Sequence, residues 1–193
     1  MEHTDILDLF KDPKKFIGKN VKVCGWVRTS SEVKPMTFIQ LNDGTTSLRN
    51  LQLTINADSY SQDEYKDKIK PALSIGTSLY AQGTIVASER NIIELEISDL
   101  KVLGECPLEY PLQKKKTSME FLRTIPHLRT RTNFFKSVLS VRARLAYAIH
   151  TYFSERGYKY LQAPIITNSD CEGAGEMFRL TTKPWNATSK SEE

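Results

Sequence analysis

Cysteine and histidine are scarce in this 193-residue chain, three of each, and their spacing excludes several kinds of chemistry. Cys24, Cys106 and Cys171 are far apart, odd in number and form no C-x-x-C pair. Neither a disulfide framework nor a structural zinc site is expected from them. His3, His127 and His150 are equally isolated, so no metal site is expected. Long apolar runs are also missing: none approaches the roughly 20 residues that a membrane helix needs. From Met1 to Phe16 acids and bases alternate where a signal peptide would carry an apolar core. The expectation is a cytoplasmic protein without a membrane partner. No internal repeat is evident.

What the chain does have is 39% hydrophobic residues, enough for one or two modest cores, and an uneven charge. Residues 1–110 hold 13 basic and 16 acidic side chains, net −3, whereas the remainder holds 14 and 7, net +7. Between Lys114 and Arg144 nine bases face a single acid, Glu120. Such a concentration suits a polyanion such as RNA, and equally a solvated face.

Strand periodicity begins early. After a short amphipathic opening with Ile6, Leu7 and Phe10, Gly18 marks a turn, and Val21, Val23, Gly25 and Val27 alternate with Lys22, Cys24 and Trp26. A second strand, Thr37 to Leu41, ends at the turn signal Asn42-Asp43-Gly44, and a third is expected from Leu48 to Ile55. Ser61 to Lys70 is polar and plausible as a helix before Pro71; Ser78 to Ala87 and Ile92 to Val102 supply two more strands. Five strands with a helix between the third and fourth is the element order of an OB-fold β barrel. An SH3-like barrel or small sandwich gives a similar strand count, and the inserted helix favours the OB-fold. Gly104 to Thr117, with Pro107, Pro111 and Lys114-Lys115-Lys116, has neither periodicity and is expected to be a hinge. From Asn133 to Arg156 apolar residues recur every three or four positions, capped by Thr132 and stopped by Gly157, which predicts a long amphipathic helix. Arg142 and Arg144 on it are either solvated or turned to RNA.

Four blocks then carry a resemblance. Cys24-Gly25-Trp26-Val27-Arg28, followed by Thr37-Phe38-Ile39-Gln40-Leu41-Asn42-Asp43-Gly44 and Leu51-Gln52-Leu53, resembles the anticodon-binding barrel shared by asparaginyl-, aspartyl- and lysyl-tRNA synthetases. Glu120-Phe121-Leu122-Arg123 and His127-Leu128-Arg129-Thr130-Arg131-Thr132-Asn133 are similar to the block before motif 1 of that group. Arg156-Gly157-Tyr158-Lys159-Tyr160-Leu161-Gln162-Ala163-Pro164-Ile165-Ile166 resembles class II motif 1, a helix broken at glycine that runs into a proline-bearing strand. Ser169-Asp170-Cys171-Glu172-Gly173-Ala174-Gly175-Glu176-Met177-Phe178 resembles the asparaginyl form of a substrate loop, lacking the Thr-Pro pair usual in aspartyl enzymes. The similarity runs colinearly from Val21 to Thr182.

The resemblance to asparaginyl-tRNA synthetases implies an architecture and roles. Residues 1–103 would be the OB-fold anticodon-binding domain, 104–117 the hinge, 118–182 the start of an incomplete α/β class II catalytic domain, and 183–193 a polar tail. Phe38 would stack on the central anticodon uridine, Gln52 would hydrogen-bond a base edge, and Arg28 would hold anticodon backbone. Glu172 would grip the α-amino group of the amino acid. Gly157 and Pro164 would belong to a homodimer interface. The bland alternatives are barrel core for Phe38, an exposed strand position for Gln52, a surface arginine and a solvated loop acid. Many relatives carry further arginines where this chain has Thr29-Ser30-Ser31-Glu32, which puts a phosphate contact there in doubt.

The implied activity is ATP-dependent attachment of asparagine to tRNA(Asn), with ATP and Mg as cofactors of the complete enzyme. The family stabilises the reacting α-phosphate with an arginine in a motif 2 Phe-Arg-x-Glu pattern and another in motif 3. Neither pattern occurs in these residues, so neither catalytic residues nor cofactor binding are expected of this chain alone. Two other readings stand beside it: a truncated, non-catalytic tRNA-binding or dimerising module, and an aspartyl-tRNA synthetase relative.

Overall fold

The alternation that starts at Val21 extends further than its apolar residues suggest. In the computed structural model it forms β1 (Asn20–Val33), with Val21, Val23 and Val27 buried. The structure describes residues 2–46, 49–107, 109–115, 117–167, 178 and 180–182. Lys34 and Pro35, joined by a cis peptide bond, lead into β2 (Met36–Asn42), which is followed by β3 (Leu51–Asn56), β4 (Ser78–Ser88) and β5 (Ile92–Gly104). The strands close in the order β1-β2-β3-β5-β4. Every pairing is antiparallel except β3 with β5. The long β1 makes closure possible by pairing with β4 through Asn20–Trp26 and with β2 through Trp26–Val33. Ile39, Leu41, Leu53, Ile85 and Leu95 are fully buried. This is the OB-fold.

The β3–β4 crossover is helical, as Ser61–Lys70 predicts. Ser61 and Glu64 form a reciprocal capping box at the start of α3 (Gln62–Glu64), and one π-helical turn, Tyr65–Ile69, continues it and buries Ile69. At the amino end, α1 (Ile6–Lys11) contributes Ile6 and Leu9 to the same core, and a four-residue α2 (Pro13–Phe16) follows.

Asn42 explains how the β2–β3 turn holds its shape. Its amide nitrogen donates to the carbonyl of Arg49 at 2.9 Å and to Asn50 Oδ1 at 3.1 Å, and its amide oxygen accepts from the Gly44 N–H at 2.9 Å. Gly44 has φ +90°, which few side chains tolerate. Lys136 Nζ donates both to Asn42 Oδ1, at 3.1 Å, and to the Thr46 carbonyl. The turn is thereby tied to α5 (Asn133–Glu155).

Glu32 closes the opposite side of β1. Its carboxylate accepts from Tyr65 Oη at 2.8 Å and from Lys70 Nζ at 2.9 Å. The hydrogen bond from Lys70, then that from Tyr65, hold its pKa below the ordinary glutamate value of about 4.3, against a smaller opposing effect of burial. A depressed carboxylate pKa contributes stability above the unfolded value that disappears as pH falls through the folded one. Glu32→Gln should therefore lower the urea midpoint at pH 6 and converge on the parent toward pH 3. Parallel midpoint curves over that range would show that the ion pair contributes nothing.

Residues 105–118, where described, form neither helix nor strand, but they are not loose from the barrel: Lys114 Nζ donates to the Ser30 carbonyl at 3.4 Å. α4 (Met119–Thr124), capped by Ser118, buries Leu122. The chain divides into two compact units, Met1–Ala146 and Tyr147–Glu193, the second beginning within α5.

In the second unit α5 ends as its sequence predicts. Gly157 has φ +85°, its N–H donates to the Ser154 carbonyl, and the Tyr158 N–H donates to that of Phe153. This is a Schellman ending. The strand expected from Tyr158 to Ile166 is not formed: residues 158–166 are irregular and exposed. A strand requires a neighbouring ladder to satisfy its N–H and C=O groups, and no described strand pairs with this segment. Among the described residues no helix is long and apolar enough to cross a membrane.

Candidate nucleic-acid interface

The pleat of β2 sends Thr37, Ile39 and Leu41 into the barrel and leaves Phe38 and Gln40 half-buried on its outer face. On β3 the same alternation buries Leu51 and Leu53 and turns Gln52 outward. Register then pairs Gln40 with Gln52 and Phe38 with Thr54. Phe38, Gln40 and Gln52 line one open cleft of about 360 Å³, together with residues 29–31 of β1 and with Arg90 and Asn91 from the β4–β5 turn. An aromatic face beside polar amides, open to solvent, suits a stacked base better than a core position does.

The amides are already organised. Gln40 Nε2 donates to Gln52 Oε1 at 2.6 Å, which directs the remaining Gln52 N–H groups and the Gln40 carbonyl elsewhere. Together they offer a donor beside an acceptor, the complement of a base edge. The β4–β5 turn is held over this cleft by Glu94, whose carboxylate accepts from Ser88 Oγ and from Asn91 Nδ2 at 2.9 Å. Ile92, the residue after Asn91, has φ +71°, a conformation costly for a β-branched side chain.

Arg28 is not in that cleft. A register shift between Val27 and Thr29 redirects β1, and the half-buried Arg28 points with Trp26 into a second cleft, where its Nη2 donates to Asn133 Oδ1 at 3.4 Å. Gly157 marks the end of α5, and Pro164 is exposed in the irregular segment after it. Glu172, and with it most of the substrate-loop block, lies outside the described residues, as do Lys116 and the tail 183–193.

Residues 21–103 match the model of a family described as an OB-fold nucleic acid binding domain. The whole chain is 44% identical to the asparagine–tRNA ligase of Clostridium tetani, covering 41% of that protein, and 86% of it is 46% identical to the chloroplastic/mitochondrial asparagine–tRNA ligase of Arabidopsis thaliana, covering 29% of it. The chain belongs to the asparaginyl-tRNA synthetase family. It spans about two fifths of the length of the bacterial relatives it matches. In fold it is similar to the asparaginyl-tRNA synthetase of Pyrococcus horikoshii solved with asparaginyl-adenylate, with a TM-score of 0.79 over 96% of this chain and 41% of that one at 23% identity.

Within this synthetase-family barrel, Gln40, Arg90 and Asn91 escaped the sequence reading. Gln40 was legible in principle, since it shares a strand face with Phe38 two residues away. Arg90 and Asn91 sit in a polar turn between two strands, and only barrel closure, through the parallel β3–β5 pairing, brings that turn beside β3.

Proposed function

We propose that these residues are the anticodon-reading part of an asparagine–tRNA ligase, a protein that attaches asparagine to tRNA(Asn) at the expense of ATP. The observation that carries the reading is the cleft in which the Phe38 ring lies beside the paired amides of Gln40 and Gln52, on the outer face of a barrel whose relatives are asparagine–tRNA ligases. Phe38 stacks on the central anticodon uridine, the amides read its edge, and Arg28 contributes backbone charge. The asparagine-binding role of Glu172, a cytoplasmic setting and a homodimer belong to the same proposal. Dimerisation is supported by apolar side chains left exposed along α5, among them Phe134, Val141, Leu145 and Ile149.

ATP and magnesium complete the proposed reaction, in which the asparagine carboxylate attacks the α-phosphate and pyrophosphate leaves. The patterns that would hold the reacting α-phosphate, a motif 2 Phe-Arg-x-Glu and a motif 3 arginine, do not occur in these 193 residues. No step is therefore assigned to this chain's own side chains, and asparagine-dependent pyrophosphate exchange by the 193 residues should be undetectable.

The direct test is binding of a tRNA(Asn) transcript against the same transcript with its central anticodon uridine changed to cytidine. A mismatched edge leaves amide groups unpaired, and roughly tenfold weaker binding is expected. Equal affinity for the two transcripts would remove the anticodon assignment.

A further inference from the structure

The second cleft on β1 encloses about 240 Å³ and gathers Trp26 and Arg28 from the strand, Tyr110 and Lys115 from the segment after β5, and Arg131 and Asn133 from the approach to α5. Three of its lining side chains are cations and none is a carboxylate. Other lysines of this unit are answered differently: Lys70 by Glu32, and Lys136 by Asn42 and the Thr46 carbonyl. Arg28 instead has a long contact to a neutral amide, and the Arg131 guanidinium lies 5.8 Å from the Trp26 ring centroid. Burial most of all lowers the Arg28 pKa from its ordinary value, Tyr110 opposes it, and the neighbouring Arg131 charge lowers it further. Like charges held together in a partly desolvated concavity leave room for an anion to satisfy both.

We propose that this cleft holds a phosphodiester of the RNA strand whose bases lie against Phe38, with Arg28, Arg131 and Lys115 as its ligands. The proposal rests on the anticodon reading given above. Strand β1 supplies the link: residues 26–28 line the cationic cleft, and 29–31 line the base cleft. Three residues of strand span about 10 Å, so a continuous single strand can engage both. Trp26, 44% exposed at the mouth, offers a flat face to a flanking nucleotide. The arginines absent from Thr29-Ser30-Ser31-Glu32 are thus replaced by cations from more than 80 residues further along the chain.

The test measures binding of the full chain to an anticodon stem-loop RNA over a range of salt concentrations. Arg131→Gln and Arg28→Gln should each weaken binding several-fold at low salt and reduce the slope of log affinity against log salt by about 0.7, whereas Arg131→Lys should keep the slope. Unchanged slopes in both glutamine variants, with binding by Phe38→Ala still impaired, would overturn the phosphodiester assignment and leave the anticodon reading intact. Loss of both effects would remove the two together. If Arg131→Lys loses as much slope as Arg131→Gln, the arginine is structural and the assignment fails. Competition by inorganic phosphate at constant ionic strength distinguishes a free-anion pocket: displacement of the RNA at millimolar phosphate would overturn the strand reading, and no displacement is expected.

Discussion

Gly83→Ala is expected to destabilise the barrel severely. Gly83 lies in β4, buried between β1 and β5, opposite Val21 on one side and Ile97 on the other. A Cβ placed there would stand 1.9 Å from the backbone carbonyl oxygen of Glu96 and 3.0 Å from the Ile97 Cα. Both obstacles are main chain, so no rotamer change relieves them. The register of β4 against β5 shifts between Gln82 and Gly83, so the missing side chain lets a bulged partner strand approach closely. Overpacking usually costs about 1–3 kcal/mol, and a clash with backbone belongs at or above the top of that range. With about 2–4 °C of Tm per kcal/mol for a chain of this size, a fall on the order of 10 °C should appear in thermal melts. Gly44→Ala is the control, because its positive φ is strained but nothing lies within 4 Å of the added Cβ. It should cost only the roughly 1–2 kcal/mol of a left-handed conformation. If the two variants melt alike, the close approach at Gly83 is absorbed by the sheet.

Much of the barrel was legible because a half-buried strand writes its pleat into the sequence. Ile93 and Leu95 against Glu94 and Glu96 gave β5, and Asn42-Asp43-Gly44 gave the turn after β2. The extension of β1 through Val33 was not legible: Thr29, Ser30, Ser31 and Glu32 have no apolar alternation, and they are strand only because β2 pairs with them across a bulge. The site divides along the same line. Phe38 and Gln52 were found through the resemblance of their blocks to an anticodon-binding barrel, and the pleat of β2 and β3 then turned both to the outer face. The cationic cleft was hidden because Arg28 and Arg131 meet only through tertiary packing, by way of an irregular segment that periodicity cannot describe. The expected strand after Gly157 failed for a third reason, since a sequence can favour extended backbone without supplying the ladder that makes it a strand.

Phe38→Ala should reduce affinity for tRNA(Asn) by roughly 5- to 150-fold, the equivalent of the about 1–3 kcal/mol that one base–aromatic stack contributes. The barrel side of the chain cannot obtain this affinity from bulk charge, because residues 1–110 are net negative. Contacts to base faces and edges must therefore supply much of the selectivity, and local cations the salt-dependent remainder. Removing a neutral ring leaves the number of neutralised phosphates unchanged, so the dependence of log affinity on log salt should keep its slope while the line drops. Stability provides the independent check. A buried phenylalanine truncated to alanine costs about 3–5 kcal/mol, but Phe38 is only half-buried on the outer face and has Gln40 and Gln52 for cleft neighbours rather than the packed leucines and isoleucines of the interior. Its loss should lower the Tm by no more than a few degrees. A variant that binds tRNA as the parent does and melts far lower would make Phe38 a packing residue, and the cleft would then have no base platform.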